Sequence, residues 1–323
     1  MKATPALYEE IEAARKRIRD GILQTPLLHS PWLSELNGGT VYLKMESEQY
    51  TGSFKARGSL NKLIWLKEQG GGFFPVAAST GNHGLGVARA LDLLGLNGRI
   101  YLPETAVDSK VEAIKAYGVE IEIWGDDPYR TELHAKELAR KNEDWVYVSP
   151  YNDLQVVAGQ GTVGAEILEQ ADPPDRILAT VGGGGLISGI AGYLNERSPA
   201  TRIVGCQPEQ SPEMSVSVEA GEYREFESGP TLSDGSAGGF ERDSITFAMC
   251  RQWVDEFILV TEEEIAEAIR QMVASQRKLI EGSAAVAVAA FAKAAERFRG
   301  QTVVIVICGG NISLETLRSV LND

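Results

Sequence analysis

Cysteine is scarce in this chain of 323 residues: Cys206, Cys250 and Cys308 are the whole complement. An odd count among apolar neighbours, with no metal-type CxxC pair, argues against disulfides. Long hydrophobic runs are missing as well. No stretch approaches the roughly 20 apolar residues that a helix needs to cross a bilayer. The opening Met1-Lys2-Ala3-Thr4-Pro5 lacks the apolar segment of a secretory signal, so a cytoplasmic location with no membrane partner is expected. Excess positive charge is also absent: 31 Lys plus Arg stand against 45 Asp plus Glu, a formal net charge of −14. Such a surface repels nucleic acid phosphates and anionic lipid, and neither is an expected partner. Internal repeats and low-complexity segments are lacking too.

What is present is an ordinary globular composition, 43% hydrophobic and 24% charged, enough for about two domains. Short β-branched runs alternate with longer segments of helical period, the pattern of an α/β protein with mainly parallel sheets and helices on their faces. The runs expected as strands are 41–44, 76–78, 99–102, 120–123, 177–181, 202–205 and 303–307. The compact units between Pro75 and Pro150 suggest a small domain, 74–149, inserted in a larger one made of 1–73 and 150–323. The glycine-rich stretch from Gly221 to Gly239 has weak periodicity and is expected to be an ordered functional loop or lid.

Three segments carry the chemistry. Lys55 sits in Ser53-Phe54-Lys55-Ala56-Arg57-Gly58, and two glycine-rich segments follow apolar runs: Ala78-Ser79-Thr80-Gly81-Asn82-His83-Gly84 and Gly182-Gly183-Gly184-Gly185-Leu186. Together they offer an amine, hydroxyl and amide donors, and consecutive amides without Cβ atoms that can converge on a phosphate at a helix start. That inventory suits pyridoxal phosphate, whose aldehyde, anionic tail and substrate carboxylate each need a different partner. A dinucleotide loop is the rival reading of the glycine run, but GxGxxG and GxxxxGK[ST] spacings are both absent, and it would leave Lys55 without a role. Each residue alone has a plainer reading: a solvated lysine, a capping or core histidine for His83, a small buried thiol for Cys308.

Together with Ala158-Gly159-Gln160-Gly161-Thr162 and Cys308-Gly309-Gly310-Asn311, these motifs resemble the pyridoxal phosphate enzymes of fold type II over nearly the whole chain. Within them the chain is most similar to the serine/threonine dehydratase and serine racemase branch, because His83 follows the Ser-x-Gly-Asn motif. The resemblance implies an open, two-sheet α/β fold of the tryptophan synthase beta type and a homodimer. It implies that Lys55 binds the cofactor aldehyde covalently and removes the substrate Cα proton. Phe54 would pack on the pyridine ring, Asn82 would bond its phenolic oxygen, and Gly182 to Leu186 would hold the phosphate. Ser79, Thr80, Asn82 and His83 would meet the substrate carboxylate. Cys308 would face the ring nitrogen, and Glu281 would lie near the ring or, equally, stabilise a helix N-terminus.

The function implied is β-elimination of water from a β-hydroxy amino acid, L-threonine or L-serine, giving a 2-oxo acid and ammonia. Thr80 stands where racemases have a serine, and a β-branched hydroxyl is stiffer, so racemisation is expected to be weak or absent. Tyr151 also leans toward dehydration. Ser236 and its small neighbours line the substrate side in relatives and widen the candidates to 3-hydroxyaspartate, phenylserine and intermediates of hydroxyectoine breakdown. A family loop for a divalent cation maps to Gln207, Ser211 and Glu213; with one carboxylate replaced by Gln207, binding of Mg²⁺ or Ca²⁺ is expected to be weak. The alternatives are a serine racemase, a protein that only binds pyridoxal phosphate or an amino acid, and a dinucleotide oxidoreductase.

Overall fold

A computed structural model describes residues 4–322; Met1 to Ala3, part of the N-terminal stretch read above, lie outside the described residues. The apolar runs form two sheets. The larger contains β1 (Leu27–His29), β2 (Thr40–Met45), β7 (Arg176–Thr180), β8 (Arg202–Pro208), β9 (Glu256–Val260) and β10 (Thr302–Ile307), in the order β1-β2-β10-β7-β8-β9. The smaller contains β3 (Phe74–Ala78), β4 (Arg99–Leu102), β5 (Glu120–Ile123) and β6 (Trp145–Tyr147), in the order β5-β4-β3-β6. Pairing is parallel except between β1 and β2. Central β10 is buried from Val303 to Ile307, as a parallel strand covered on both faces requires. At the edge, β5 alternates Glu and Ile and buries none of them, which blunts an exposed strand.

β1, β6 and β9 are not among the runs expected from sequence. β1 and β6 are three residues long and lie at sheet edges, where pairing defines a strand more than pattern does. β9, Glu256-Phe257-Ile258-Leu259-Val260, is a short apolar run that periodicity does not separate from a helix segment.

Helices α1 (Thr4–Ile18), α2 (Pro31–Asn37), α3 (Lys55–Gln69), α7 (Leu154–Gln170), α8 (Gly185–Arg197), α9 (Glu213–Ala220), α10 (Ile245–Trp253), α11 (Glu262–Gln271), α12 (Gly282–Ala294) and α13 (Leu314–Asn322) alternate with the strands of the larger sheet. Helices α4 (Asn82–Leu94), α5 (Asp108–Lys115) and α6 (Pro128–Lys141) alternate with those of the smaller. Their starts follow local chemistry: Asp127 with Pro128 opens α6, Asp153 caps α7, and Thr261 with Glu264 forms a capping box on α11. Among the described residues no helix is long and apolar enough to cross a membrane.

Two features position the site. The first turn of α3 is anchored from beneath by Arg57, whose buried guanidinium bonds Glu46 at 2.7 Å and Glu166 at 2.6 Å, while Lys44 bonds Glu166 at 2.6 Å. Between α9 and α10 the chain forms neither helix nor strand. That loop is pinned by buried Ser233, Ser236 and Phe240, and by the Leu232 N–H donating to Glu262 at 2.7 Å.

Candidate active site

Three helix N-termini converge beside the C-terminal ends of parallel strands, where α/β sheets place ligands. α8 starts soon after β7 through the glycine turn, and α4 starts soon after β3. α3 is brought to the end of β10 because the Phe54 N–H donates to the Cys308 carbonyl at 3.1 Å and Ser53 bridges Gly309. Between them lies a cavity of about 260 Å³, and every residue assigned above to cofactor or substrate lines it.

At its wall Lys55 Nζ donates to the Pro150 carbonyl at 2.9 Å and lies 5.1 Å from the Phe54 ring centroid. Loss of water lowers its pKa to about 8, an effect partly opposed by the negative charge of ionised Glu281. Burial pushes the Cys308 thiol well above its usual value, so it stays neutral. Glu281 is the N-cap residue of α12, yet its side chain makes no cap bond. It accepts instead from Asn82 Nδ2 at 2.8 and 3.1 Å and from the Asn311 N–H at 3.1 Å. It thus lines the cavity while remaining at the N-terminus of α12.

His83 is 4% exposed, and its Nε2 lies 2.7 Å from the Val148 carbonyl oxygen. That oxygen can only accept, so Nε2 carries the proton and Nδ1, buried without a partner, is a bare acceptor. Burial lowers the ring pKa to about 3, and the imidazole is neutral. It offers a carboxylate no donor. What remains for that role at the start of α4 is the Ser79 and Thr80 hydroxyls and the first-turn amides, which lack intrahelical partners.

In the glycine turn Gly184 has φ 82°, a left-handed conformation that favours glycine. A Cβ on Gly183 would fall 2.3 Å from the Tyr151 ring, so that ring lies directly on the backbone. Tyr151 is held there because its hydroxyl accepts from the Glu241 N–H at 2.9 Å. Ser236 Oγ lies 2.5 Å from Ser233 Oγ, which reaches Ser283 Oγ at 3.2 Å. Ser283, Thr180 and Lys110 also line the cavity, and sequence reasoning missed them. For Ser283 and Thr180 a signal existed, since they lie two residues from the candidates Glu281 and Gly182.

The cation candidates are not part of this cavity. Gln207 accepts from the Ser215 N–H at 2.8 Å and donates to the Ser211 carbonyl at 3.3 Å, while Glu213 accepts from the Ser211 hydroxyl at 2.8 Å and from Ser228. Glu213 lines an adjoining larger cavity that shares Lys55 and Tyr151. Among the described residues no three His, Cys, Asp or Glu side chains are grouped to hold a metal.

Burial raises the Glu281 pKa to about 7 from an ordinary 4.5. Folding therefore favours its protonated form; the associated stability is complete below the unfolded value and is lost as pH rises through about 7. Glu281→Gln is expected to be more stable than the parent above pH 7, by about 2–3 kcal/mol in the cofactor-free protein. Urea unfolding of both proteins between pH 5 and 8 checks it: a difference that does not grow with pH would show that the carboxyl is not held this way.

Comparison with known proteins agrees with this geometry. An L-threonine ammonia-lyase of Thermotoga maritima is 38% identical over 317 residues, covering 97% of this chain and 78% of that protein. The processed form of threonine deaminase isoform 2 from Solanum lycopersicum superposes with a TM-score of 0.92 at 30% identity, over 99% of this chain and 93% of that one. Serine racemase from Dictyostelium discoideum gives 0.86 at 32% identity, over 95% and 99%. The family of pyridoxal-phosphate dependent enzymes matches residues 18–309, most of the chain, and this protein belongs to it.

Proposed function

We propose that this enzyme is a lyase that removes water and then ammonia from a β-hydroxy amino acid, L-threonine or L-serine, releasing a 2-oxo acid. One observation carries the reading: an amine of lowered pKa, Lys55, shares a cavity with a four-glycine turn at a helix N-terminus. The cavity fits pyridoxal phosphate. Its turn has no room for side chains at Gly182 and Gly183, where a Cβ would meet Ser236 at 2.8 Å and Tyr151 at 2.3 Å. The first amides of α8 are free to take an anionic tail.

When bound, the cofactor supplies an aldehyde for covalent attachment and a ring that draws electrons from the substrate Cα. Lys55 would hold that aldehyde, and its free amine would be the base that takes the Cα proton; a pKa of about 8 leaves a useful fraction neutral near pH 7. Asn82 would present its amide to the phenolic oxygen, and Phe54 would cover the ring. Cys308, a neutral thiol, does not stabilise a proton on the ring nitrogen as a carboxylate would, which favours expulsion of the β-hydroxyl over transamination. Ser79, Thr80 and the α4 amides orient the carboxylate, and the unit 74–149 carries this half of the site. Tyr151 and Ser236 bound the β-substituent.

The test is a screen of hydroxy amino acids for 2-oxo acid release with chiral analysis of recovered serine, with and without Mg²⁺. Release from L-threonine or L-serine without racemisation supports the proposal, and D-serine as the main product would replace it with the racemase reading. Because the candidate ligands Gln207, Ser211 and Glu213 include a single carboxylate, the response to Mg²⁺ is expected to be small. A homodimer in the cytoplasm completes the proposal, carried by the family resemblance.

A further inference from the structure

The two ends of an asparagine amide have the same shape, so Asn82 could present either N–H or C=O to a ligand unless its neighbours choose. They do. Asn311 Nδ2 lies 2.8 Å from the Thr51 carbonyl oxygen and 2.7 Å from Asn82 Oδ1. The Thr51 oxygen can only accept, so the Asn311 atom facing it is the amide nitrogen, and both of its N–H bonds are spent, one on Thr51 and one on Asn82. The Asn82 atom opposite must then be oxygen. Its nitrogen turns toward Glu281, whose oxygens lie at 2.8 and 3.1 Å. Asn311 is itself fixed: its N–H donates to Glu281, and the Gly310 N–H donates to the Gly52 carbonyl at 2.9 Å. Gly52 has φ 69°, and a Cβ there would meet Asn311 Oδ1 at 2.5 Å, so the amide is packed against that backbone.

We propose that Asn311 is a positioning residue whose amide locks the orientation of Asn82, so that Asn82 offers N–H and not C=O to the phenolic oxygen of pyridoxal phosphate. This rests on the reading that Asn82 meets the cofactor. The lock also joins the first residue of α4 to the turn after β10, two parts of the chain far apart in sequence. Glu281 supports the same orientation from the other side, so deleting the Asn311 amide leaves one of two constraints. Replacing it by a carboxylate does more, because two acceptors would then face each other and Asn82 must rotate.

The experiment is a titration of each apoprotein with pyridoxal phosphate, read by the visible absorbance and its maximum, with a urea midpoint for each variant as a check on folding. Asn311→Ala is expected to weaken binding by about fivefold, and Asn311→Asp by at least about tenfold with a displaced absorbance maximum. In an Asn82→Ala background, Asn311→Asp is expected to add almost nothing. Two results overturn the inference alone: Asn82→Ala binds weakly while Asn311→Asp binds like the parent, or Asn311→Asp costs the same with and without Asn82. If Asn82→Ala itself binds like the parent, the assignment of Asn82 to the cofactor fails and takes the inference with it.

Discussion

Lys55→Ala is expected to lower 2-oxo acid release from L-threonine or L-serine on the order of 10⁴-fold, the upper range for losing a positioned base. The same substitution removes the covalent attachment proposed for Lys55, so the visible absorbance of the bound cofactor should change with it. Folding should not suffer. Lys55 is only half-buried and its one hydrogen bond is to the Pro150 carbonyl, so circular dichroism should match the parent. Reconstitution carries a second signature. Attachment needs the neutral amine, and with a pKa of about 8 its fraction, hence the rate of reattachment to apoprotein, should climb through pH 8 and then level off. A Lys55→Ala protein that keeps activity within about tenfold of the parent would remove the lysine from the chemistry.

The second large effect is on stability. Arg57→Ala is expected to cost about 3–5 kcal/mol, because it strands Glu46 and Glu166 in an interior where their side chains are 0% and 10% exposed. Lys44 would still pair with Glu166, but Glu46 would keep only the Thr25 hydroxyl, at 2.6 Å. Urea midpoints measure the loss. The physical claim is that the harm comes from unpaired charge and not from lost contact. Replacing the set together, Arg57→Met with Glu46→Leu and Glu166→Met, should therefore cost less than Arg57→Ala alone; the reverse order would refute it. Acid should expose the same network. Glu166 titrates below its ordinary value although burial opposes this, because the Arg57 hydrogen bond and charge and the Lys44 charge outweigh it. Its stabilisation is thus present above the unfolded carboxylate pKa and is lost as pH falls through the lower folded one. Since Arg57 sits two residues after Lys55, acid below the ordinary carboxylate pKa of 4.5 should loosen the first turn of α3 and with it the site.

Both predictions turn on groups whose environment is set from far along the chain. Lys55 was legible as a candidate because its motif and the glycine turns are contiguous strings, and a contiguous string fixes which backbone amides and side chains leave a turn together. Arg57, two residues on, was quoted in the same motif yet given no role, because its partners Glu46 and Glu166 lie in other elements. The same division runs through the fold. β10 and β2 stand out as apolar runs; β1 and β6, three residues each at sheet edges, exist through their pairing.

The amino-acid order by itself determined the α/β class, the family resemblance and the cluster of residues at the candidate cavity, since strand and helix periods and glycine turns are local properties of neighbouring residues. Tertiary structure alone decided that Glu281 turns from its helix cap to Asn82, that His83 keeps its proton on Nε2, and that Asn311 holds Asn82. The physical reason is that hydrogen-bond direction and desolvation depend on which distant groups meet and how much water they exclude, and neither is written in any short stretch of chain.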